Sequence, residues 1–325
     1  LGSIDSQTGQ IFNNGIEQAI EIEDGGDGRF DPEDRILFYA LFRNGDDEYF
    51  NAYSDTNVYW LTWNGSAGIR FSEYAPVSSD AFIDAYSDTL HIEKDLYYYA
   101  GDTDNDIHRS EKVPGEGWAW ILLNKGASAN LDFNLPSPAI DQDSLSLRMR
   151  LRGTTLDSHS PDHHIKLSLN GTKVYESWFE DRDELLITCK INSSLFRENG
   201  NALKLDLLSD LPSQRSQIFL DWFEITYLRS FAAKNNWLSF PALSESGLSV
   251  FISGFTDSGI KAWDLKRNRS FLLPAATKLW RDLISVQSHG YFDGNMAKLI
   301  RNGKEAGYGF RGHNLWHIDP RNGQL

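Results

Sequence analysis

Apolar and polar residues alternate with a period of two in the middle of the chain. In Asp143–Arg152, the apolar residues Leu145, Leu147, Met149 and Leu151 are separated by serine and arginine residues. Side chains of a β-strand point alternately to its two faces, so this segment places four apolar side chains on one face. The pattern predicts a strand that covers a hydrophobic core on one side.

Neighbouring segments carry related signals. Ile165–Leu169 alternates in the same way, and Asn170 and Gly171 after it predict a tight hairpin turn into Lys173–Tyr175. Ile218–Leu228 is apolar on both sides for much of its length, which is typical of a central strand covered on both faces. Together these segments indicate a fold built from sheets and short turns.

The chain is expected to be all-β, with tandem β-sandwich domains. Residues 116–230 contain about seven or eight strand-like segments between turn residues, which predicts a central jelly-roll sandwich of galactose-binding-like type. Residues 1–115 are predicted to form an acidic β-rich domain, and residues 231–325 a third β-rich region. A minor helix is expected near the C-terminus at Ala275–Ile284, where apolar residues fall at helical spacing.

Length, composition and charge limit the class of protein. The chain has 325 residues, of which 40% are hydrophobic and 13% aromatic, enough for roughly two or three domains with packed cores. It contains no apolar run of about 18 residues, so no membrane span is expected. The net charge of −15 disfavours nucleic acid as a partner, because phosphates attract clustered lysine and arginine.

The strongest local signal for a ligand is the acidic, glycine-rich segment Glu23–Asp34. Calcium prefers roughly six to eight oxygen ligands, and a loop with glycines lets several carboxylates converge. Gly28 matches the sharp turn of an EF-hand loop, but Gly25 occupies a ligand position and the flanks are strand-like, so an EF-hand is excluded. The segment predicts a calcium site on another scaffold, with a solvated hairpin turn as the alternative. The candidate ligands are Glu23, Asp24, Asp27, Asp31 and Asp34.

A second acidic loop offers a weaker signal for the same ion. Its alternating carboxylates could wrap one calcium ion, although aspartate is also favoured in surface loops for its turn geometry. If either loop binds calcium, the stability of the chain will depend on calcium concentration. The candidate ligands here are Asp102, Asp104 and Asp106.

The histidine and cysteine residues do not form a complete catalytic set. Cys189 is the single cysteine and alternates with Ile187 and Ile191 in a predicted strand, where a thiol in apolar surroundings is inert. His163 and His164 are adjacent before the Ile165 strand, so they are expected to point to opposite faces. A polar loop therefore fits this region better than a zinc site, and the chain is expected not to be an enzyme.

Seven segments of the chain, taken in order, carry a family resemblance. They resemble the region upstream of the catalytic domain in gingipain-like cysteine peptidases and in the related sortase-like component of the type IX secretion system. The resemblance extends over residues 12–265 and not beyond about residue 270. The segments are Asp27–Tyr39, Asn57–Trp63, His91–Asp95, Leu167–Gly171, Gly200–Leu205, Leu220–Arg229 and Val250–Leu265.

The resemblance implies a bacterial protein that is exported to the cell surface or the medium. In that family a peptidase domain with a His-Gly pair and a later reactive cysteine follows the resembling region. Cys189 instead lies inside the predicted sandwich, so the resemblance implies either the N-terminal, non-catalytic portion of such a protein or a homologue that has lost the peptidase.

Three hypotheses for the function follow. The first is a calcium-stabilised accessory region of an exported gingipain-like surface protein, which presents a peptidase or another protein partner. The second is a carbohydrate-binding or adhesive module, since ten tryptophans are present and sugar rings stack on exposed aromatic faces, although most tryptophans of β-sandwiches are core. The third is a subunit of an extracellular assembly.

Overall fold

The described part of the chain is almost entirely strands and turns. Twenty-six strands and two single-turn 3-10 helices form within it, which confirms the all-β prediction. Among these residues there is no helix with the length and apolar character that crossing a bilayer requires. The computed structural model describes residues 4–40, 56–63, 65–73, 82–98, 117–139, 143–241, 249–250, 252–256, 260–273, 282–283, 297–301 and 304–308.

Most strands are short, and the longest lie in the middle of the chain. The 3-10 helices are Ser6–Thr8 and Ser193–Leu195. The strands are β1 (Ile4–Asp5), β2 (Gln10–Asn13), β3 (Ile16–Gln18), β4 (Ile20–Glu23), β5 (Arg29–Phe30), β6 (Arg35–Phe38), β7 (Tyr59–Thr62), β8 (Ser72–Glu73), β9 (Phe82–Ile83), β10 (Ala85–Glu93), β11 (Tyr97–Tyr98), β12 (Trp118–Ala119), β13 (Ile121–Asn124), β14 (Ser128–Phe133), β15 (Ser144–Gly153), β16 (His163–Leu169), β17 (Thr172–Phe179), β18 (Glu184–Asn192), β19 (Asn201–Leu207), β20 (Gln217–Ser230), β21 (Ser249–Val250), β22 (Ile260–Asp264), β23 (Arg269–Leu273), β24 (Asp282–Leu283), β25 (Ala297–Arg301) and β26 (Lys304–Tyr308).

Contacts between residues divide the chain into two compact units. The first unit contains Leu1–Asp84, Phe231–Phe292 and Gly307–Leu325, and the second contains Ala85–Ser230 and Asp293–Ala306. The second unit begins earlier than the predicted boundary at residue 116, because β10 pairs with β20 along its whole length. Much of the predicted third region falls in the same unit as the N-terminal strands.

The second unit is a sandwich of two sheets. The larger sheet runs β18-β15-β20-β10-β25-β26, with β13 also paired to β20, and the smaller sheet runs β14-β19-β16-β17. One core cluster combines Leu147 and Phe223 of the larger sheet with Leu131, Leu167 and Leu205 of the smaller one. The apolar faces created by the alternating sequence therefore pack against each other, as the predicted sandwich requires.

Strand β20 is the central strand of the larger sheet. It pairs antiparallel with β10 on one side and with β15 on the other. The register with β15 shifts between Met149 and Leu151, so Arg150 lies opposite both Asp221 and Trp222. Such a bulge places two consecutive side chains on one face, here the face away from the core.

The turn between β16 and β17 forms as the sequence predicts. Asn170 and Gly171 have φ angles of 49° and 88°. A two-residue hairpin turn that matches the twist of the strands needs positive φ at both positions, which asparagine and glycine tolerate best. The turn fixes the register of β17, and so determines which of its side chains face outward.

The first unit is built from several small sheets. Sheets β3-β2-β7 and β4-β6 surround a second core cluster, which is separate from that of the sandwich. Its buried members are Ile11, Ile20, Ile36, Phe38 and Ala40.

The helix predicted over Ala275–Ile284 is not observed at the two positions of that segment that the structure describes. Asp282–Leu283 form β24, which pairs antiparallel with β21. The rest of the segment lies outside the described residues. The helix prediction is wrong at these two positions, because helical spacing in a short apolar run does not distinguish a helix from a strand.

Truncation of Leu147 tests the sandwich core. Leu147 is 0% exposed, so Leu147→Ala removes contacts that its neighbours cannot replace and should lower the free energy of unfolding by roughly 2–5 kcal/mol. Leu186→Ala is the matched control, because Leu186 is 46% exposed on the adjacent strand and its loss should cost about 0.5 kcal/mol or less. Urea unfolding measures both, and equal losses would contradict the assignment of the core.

Candidate functional site

The predicted calcium segment forms the turn of a hairpin in the first unit. Strands β4 and β6 pair antiparallel, with Glu23 opposite Arg35 at the mouth of the loop. Gly25, Gly26 and Gly28 have positive φ angles, a conformation that glycine adopts without steric cost. The tight turn alone therefore accounts for these glycines, and they do not by themselves indicate a ligand.

Three aspartate carboxylates of this loop, those of Asp24, Asp27 and Asp34, accept hydrogen bonds from other groups of the chain. The Asp24 carboxylate accepts hydrogen bonds from Ser6 Oγ at 2.5 Å and the Gly26 amide at 3.0 Å, and the bond from Ser6 is the main reason that its pKa is lowered. Asp27 accepts from the Arg29 amide at 2.9 Å, and Asp34 accepts from the Asp31 amide at 2.5 Å.

These carboxylates do not converge on one point. Glu23 extends sideways to Lys261, with 3.3 Å between Oε1 and Nζ. Within the described ranges, no three histidine, cysteine or acidic side chains are grouped so that they could hold a metal ion. The donor set as placed therefore does not fit a preformed calcium site, and calcium binding stays a prediction. The second group of candidates, Asp102, Asp104 and Asp106, lies outside the described residues.

His163 lies on the core side of β16 and forms hydrogen bonds with the segments around Ser216 and Asp181. It is fully buried, with Nδ1 2.8 Å from Ser216 Oγ and Nε2 2.8 Å from the Asp181 carbonyl oxygen. The neighbouring Asp162 carboxylate accepts the Asp181 amide at 2.7 Å. Both ring nitrogens are thus engaged by protein groups. The predicted polar loop is corrected at this point, because His163 and His164 are the first two residues of strand β16 and point to its opposite faces.

His164 points to the opposite face and supports an exposed tryptophan. The imidazole stacks on the Trp178 indole with 4.2 Å between ring centroids and 21° between planes. Its Nδ1 lies 2.8 Å from Asp210 Oδ2, and its Nε2 lies 3.2 Å from Glu176 Oε1. His164 is 5% exposed, whereas Trp178 is 50% exposed. The result is a half-exposed indole ring that stacks on a buried imidazole at the surface.

The carboxylates beside this ring remain ionised at neutral pH. The hydrogen bond with His164 lowers the pKa of Asp210. The hydrogen bond from Lys173 Nζ, at 2.8 Å, is the largest cause that lowers the pKa of Glu176. The face around Trp178 therefore carries both hydrogen-bond acceptors and a cationic donor.

A second polar cluster lies on the outer side of the larger sheet. His91 is 0% exposed, with Nδ1 3.1 Å from Glu224 and Nε2 2.8 Å from Glu93. Burial alone would lower the pKa of His91, but the hydrogen bonds to the two glutamates outweigh it and raise the pKa. Arg148 pairs with Glu224 at 2.9 Å and completes the cluster.

Asp221 borders this cluster at the bulge of β20. Burial and the nearby negative charge of Glu93 raise its pKa to about 7, and Arg150, 3.6 Å away, only partly offsets them. Sequence reasoning missed both polar clusters. The spacing of His91 and Glu93 by two residues was the available signal, because it places both side chains on one face of a strand.

Cys189 is half-buried in β18, and burial raises the pKa of its thiol. A raised pKa reduces the thiolate fraction, and the thiolate is the nucleophile. The local environment of this residue therefore disfavours thiol reactivity.

Comparison with known proteins gives a likeness of fold over most of the chain. Neither a protein-family model nor a curated protein matches it. Among solved structures, the dimeric latent PorU from Porphyromonas gingivalis is similar, with a TM-score of 0.50 and 14% sequence identity. The match covers 86% of this chain and 29% of the PorU chain, so this chain spans less than a third of that protein. At this identity the likeness concerns the fold alone.

Carbohydrate-binding modules match shorter parts of the chain. A CBM36 module in complex with calcium and xylotriose has 15% identity and a TM-score of 0.26, covering 42% of this chain and 98% of the module. The C-terminal CBM6 of LamC from Zobellia galactanivorans has 19% identity and a TM-score of 0.24, covering 43% of this chain and 99% of the module. These low scores define no ligand for this chain.

Asp221 should make the stability of the chain depend on pH. Because its pKa is higher in the folded state than in the unfolded state, it favours folding at low pH, and this contribution is lost as pH rises from about 4 to about 7. Asp221→Asn removes that dependence. The free energy of unfolding of the variant, relative to that of the unmodified chain, should therefore be higher at pH 8 than at pH 5. Allowing for a side chain that is 27% exposed, we expect an increase of roughly 1–2 kcal/mol.

Urea unfolding at the two pH values measures this difference. Asp183→Asn is the control, since Asp183 is an exposed carboxylate on the neighbouring turn. An equal change in both variants would show that burial of Asp221 is not the cause.

Proposed function

We propose that the chain is a non-catalytic accessory region of an exported, gingipain-like bacterial surface protein, which presents a peptidase domain or another protein partner. The observation that carries the proposal is the fold likeness to PorU, which extends over 86% of this chain and both of its units. The resemblance of seven sequence segments to the region upstream of gingipain-like peptidase domains supports it independently.

The packing of the second unit suits a presenting role. Two sheets bury a continuous core, and on the outer side of the larger sheet the buried His91 is hydrogen-bonded to Glu93 and Glu224. Buried polar groups that are mutually hydrogen-bonded make a scaffold rigid. A rigid scaffold holds a partner in one orientation at small entropic cost. The proposed location is the cell surface or the medium.

A peptidase assay tests the non-catalytic part of the proposal. Purified chain should not hydrolyse fluorogenic peptides or casein above the buffer rate, with or without a reducing agent. Cys189→Ala should behave identically, because the thiol is half-buried with a raised pKa. Hydrolysis that iodoacetamide blocks and Cys189→Ala abolishes would show that the chain is itself a cysteine peptidase.

Calcium stabilisation is the finer part of the proposal that the hydrogen bonds of Glu23–Asp34 do not support. Thermal unfolding in calcium and in EGTA tests it, with Asp27→Asn as the loop variant. We expect Asp27→Asn to leave any difference between the two melting temperatures unchanged, because the Asp24, Asp27 and Asp34 carboxylates already accept hydrogen bonds within the chain. A melting temperature that is higher in calcium, and no longer so in Asp27→Asn, would restore the calcium site.

Glycan binding is a second candidate function, favoured by the exposed indole of Trp178. Large aromatic side chains usually contribute their area to a core, whereas this one is half exposed and is supported from below by His164. An indole in a fixed position that faces solvent is suited to stacking on a ligand ring.

A further inference from the structure

We propose that Trp178 is the platform of a binding site for one neutral pyranose ring, on the outward face of the four-stranded sheet. The proposal rests on the glycan-binding candidate above, and it adds the site and the chemical class of the sugar. The groups that form the site are Trp178, His164, Glu176, Lys173 and Asp210.

The position of Trp178 leaves one face of its indole open. Strand β17 ends the order β14-β19-β16-β17 of the described sheet, and Trp178 lies opposite His164 of β16 in the strand register. His164 covers the indole face that is turned toward β16. The exposed half of the Trp178 side chain therefore lies on the other indole face and its edges.

The indole is held in place before any ligand binds. His164 is fixed from both sides, because Asp210 and Glu176 each lie within hydrogen-bond distance of one of its ring nitrogens. Phe179, the next residue along β17, packs into the core and anchors the strand from below. A platform that is already ordered loses little conformational entropy on binding, which strengthens the association.

The groups around the indole match the chemistry of a pyranose. The ring of a pyranose has an apolar face of C–H groups, and its hydroxyl groups both donate and accept hydrogen bonds. The open indole face provides an apolar surface of similar size. Glu176 and Asp210 offer carboxylate oxygens as acceptors, and Lys173, whose side chain is 60% exposed, offers an ammonium donor.

The balance of charges favours a neutral sugar over a charged one. Charges of both signs lie close together beside the stacked rings, since Glu176 is 3.2 Å from His164 Nε2 and 2.8 Å from the Lys173 ammonium. A uronic acid would be repelled by Asp210 and Glu176, and an amino sugar or a lysine side chain of a partner protein would be repelled by Lys173. A neutral ligand can use both kinds of group without such a cost.

Affinity electrophoresis tests the site with defined probes. Gels would contain arabinoxylan, mixed-linkage glucan or galactomannan as neutral polysaccharides, polygalacturonate as an acidic one and chitosan as a cationic one. We expect retardation by at least one neutral polysaccharide, and binding that is weaker by about tenfold or more in Trp178→Ala. Trp60→Ala is the matched control, because Trp60 is 70% exposed in the other unit, and it should bind unchanged.

His164 is tested as a positioning residue by two substitutions. His164→Ala removes the stacked support and should weaken binding, whereas His164→Phe keeps an aromatic ring under the indole and should restore most of it. Circular dichroism melts verify that each variant is folded. Equal binding by His164→Ala and the unmodified chain would overturn the positioning role.

The remaining outcomes separate this proposal from the candidate function on which it rests. Retardation that persists in Trp178→Ala would overturn the site and leave glycan binding standing. Retardation by polygalacturonate or chitosan alone would overturn the neutral pyranose. If no gel retards the chain, both this proposal and the glycan-binding candidate fail, and the accessory role is unaffected.

Discussion

Strand β20 is the element on which the second unit depends. It pairs with β10, β13 and β15, so it joins most of the larger sheet in one ladder of hydrogen bonds. Its inward side chains fill the core, and its outward side chains include Glu224 of the buried polar cluster. The inward and outward side chains of β20 are attached to the same backbone. The packing of the core therefore also positions the charged side chains on the outer face of the sheet. The bulge at Asp221 is the one point where this alternation is broken.

The sequence predicted those features that depend on neighbouring residues. Period two fixes which side chains of β15 share a face, and the positive φ angles that Asn170 and Gly171 tolerate fix the hairpin after β16. The pairing of His91 with Glu224 joins residues 133 positions apart, and no local pattern encodes it. The same limit explains why β10 was assigned to the first domain, since its strand partner lies far along the chain.

The acidic loop shows why the number of carboxylates is a weak guide to a metal site. Asp27 accepts the Arg29 amide two residues ahead, as aspartate commonly does in turns, and Asp34 bonds back to the Asp31 amide. Calcium must compete with these bonds for the same oxygens, and it requires several carboxylates to point inward together. A segment rich in glycine and aspartate readily forms hydrogen-bonded turns, whereas a calcium site also requires its carboxylates to converge.

The two outer faces of the sandwich differ in how far their polar and aromatic side chains are exposed to a ligand. On the larger sheet, His91 and Glu224 point away from the core and yet are almost completely buried, so their charges are used to stabilise each other. On the smaller sheet, a similar arrangement of imidazole and carboxylates has an exposed indole stacked on it. Histidine and carboxylate pairs thus form part of the scaffold on one face and support an accessible aromatic surface on the other. This difference in exposure, rather than the residue types, is what favours Trp178 as the point of contact with a ligand.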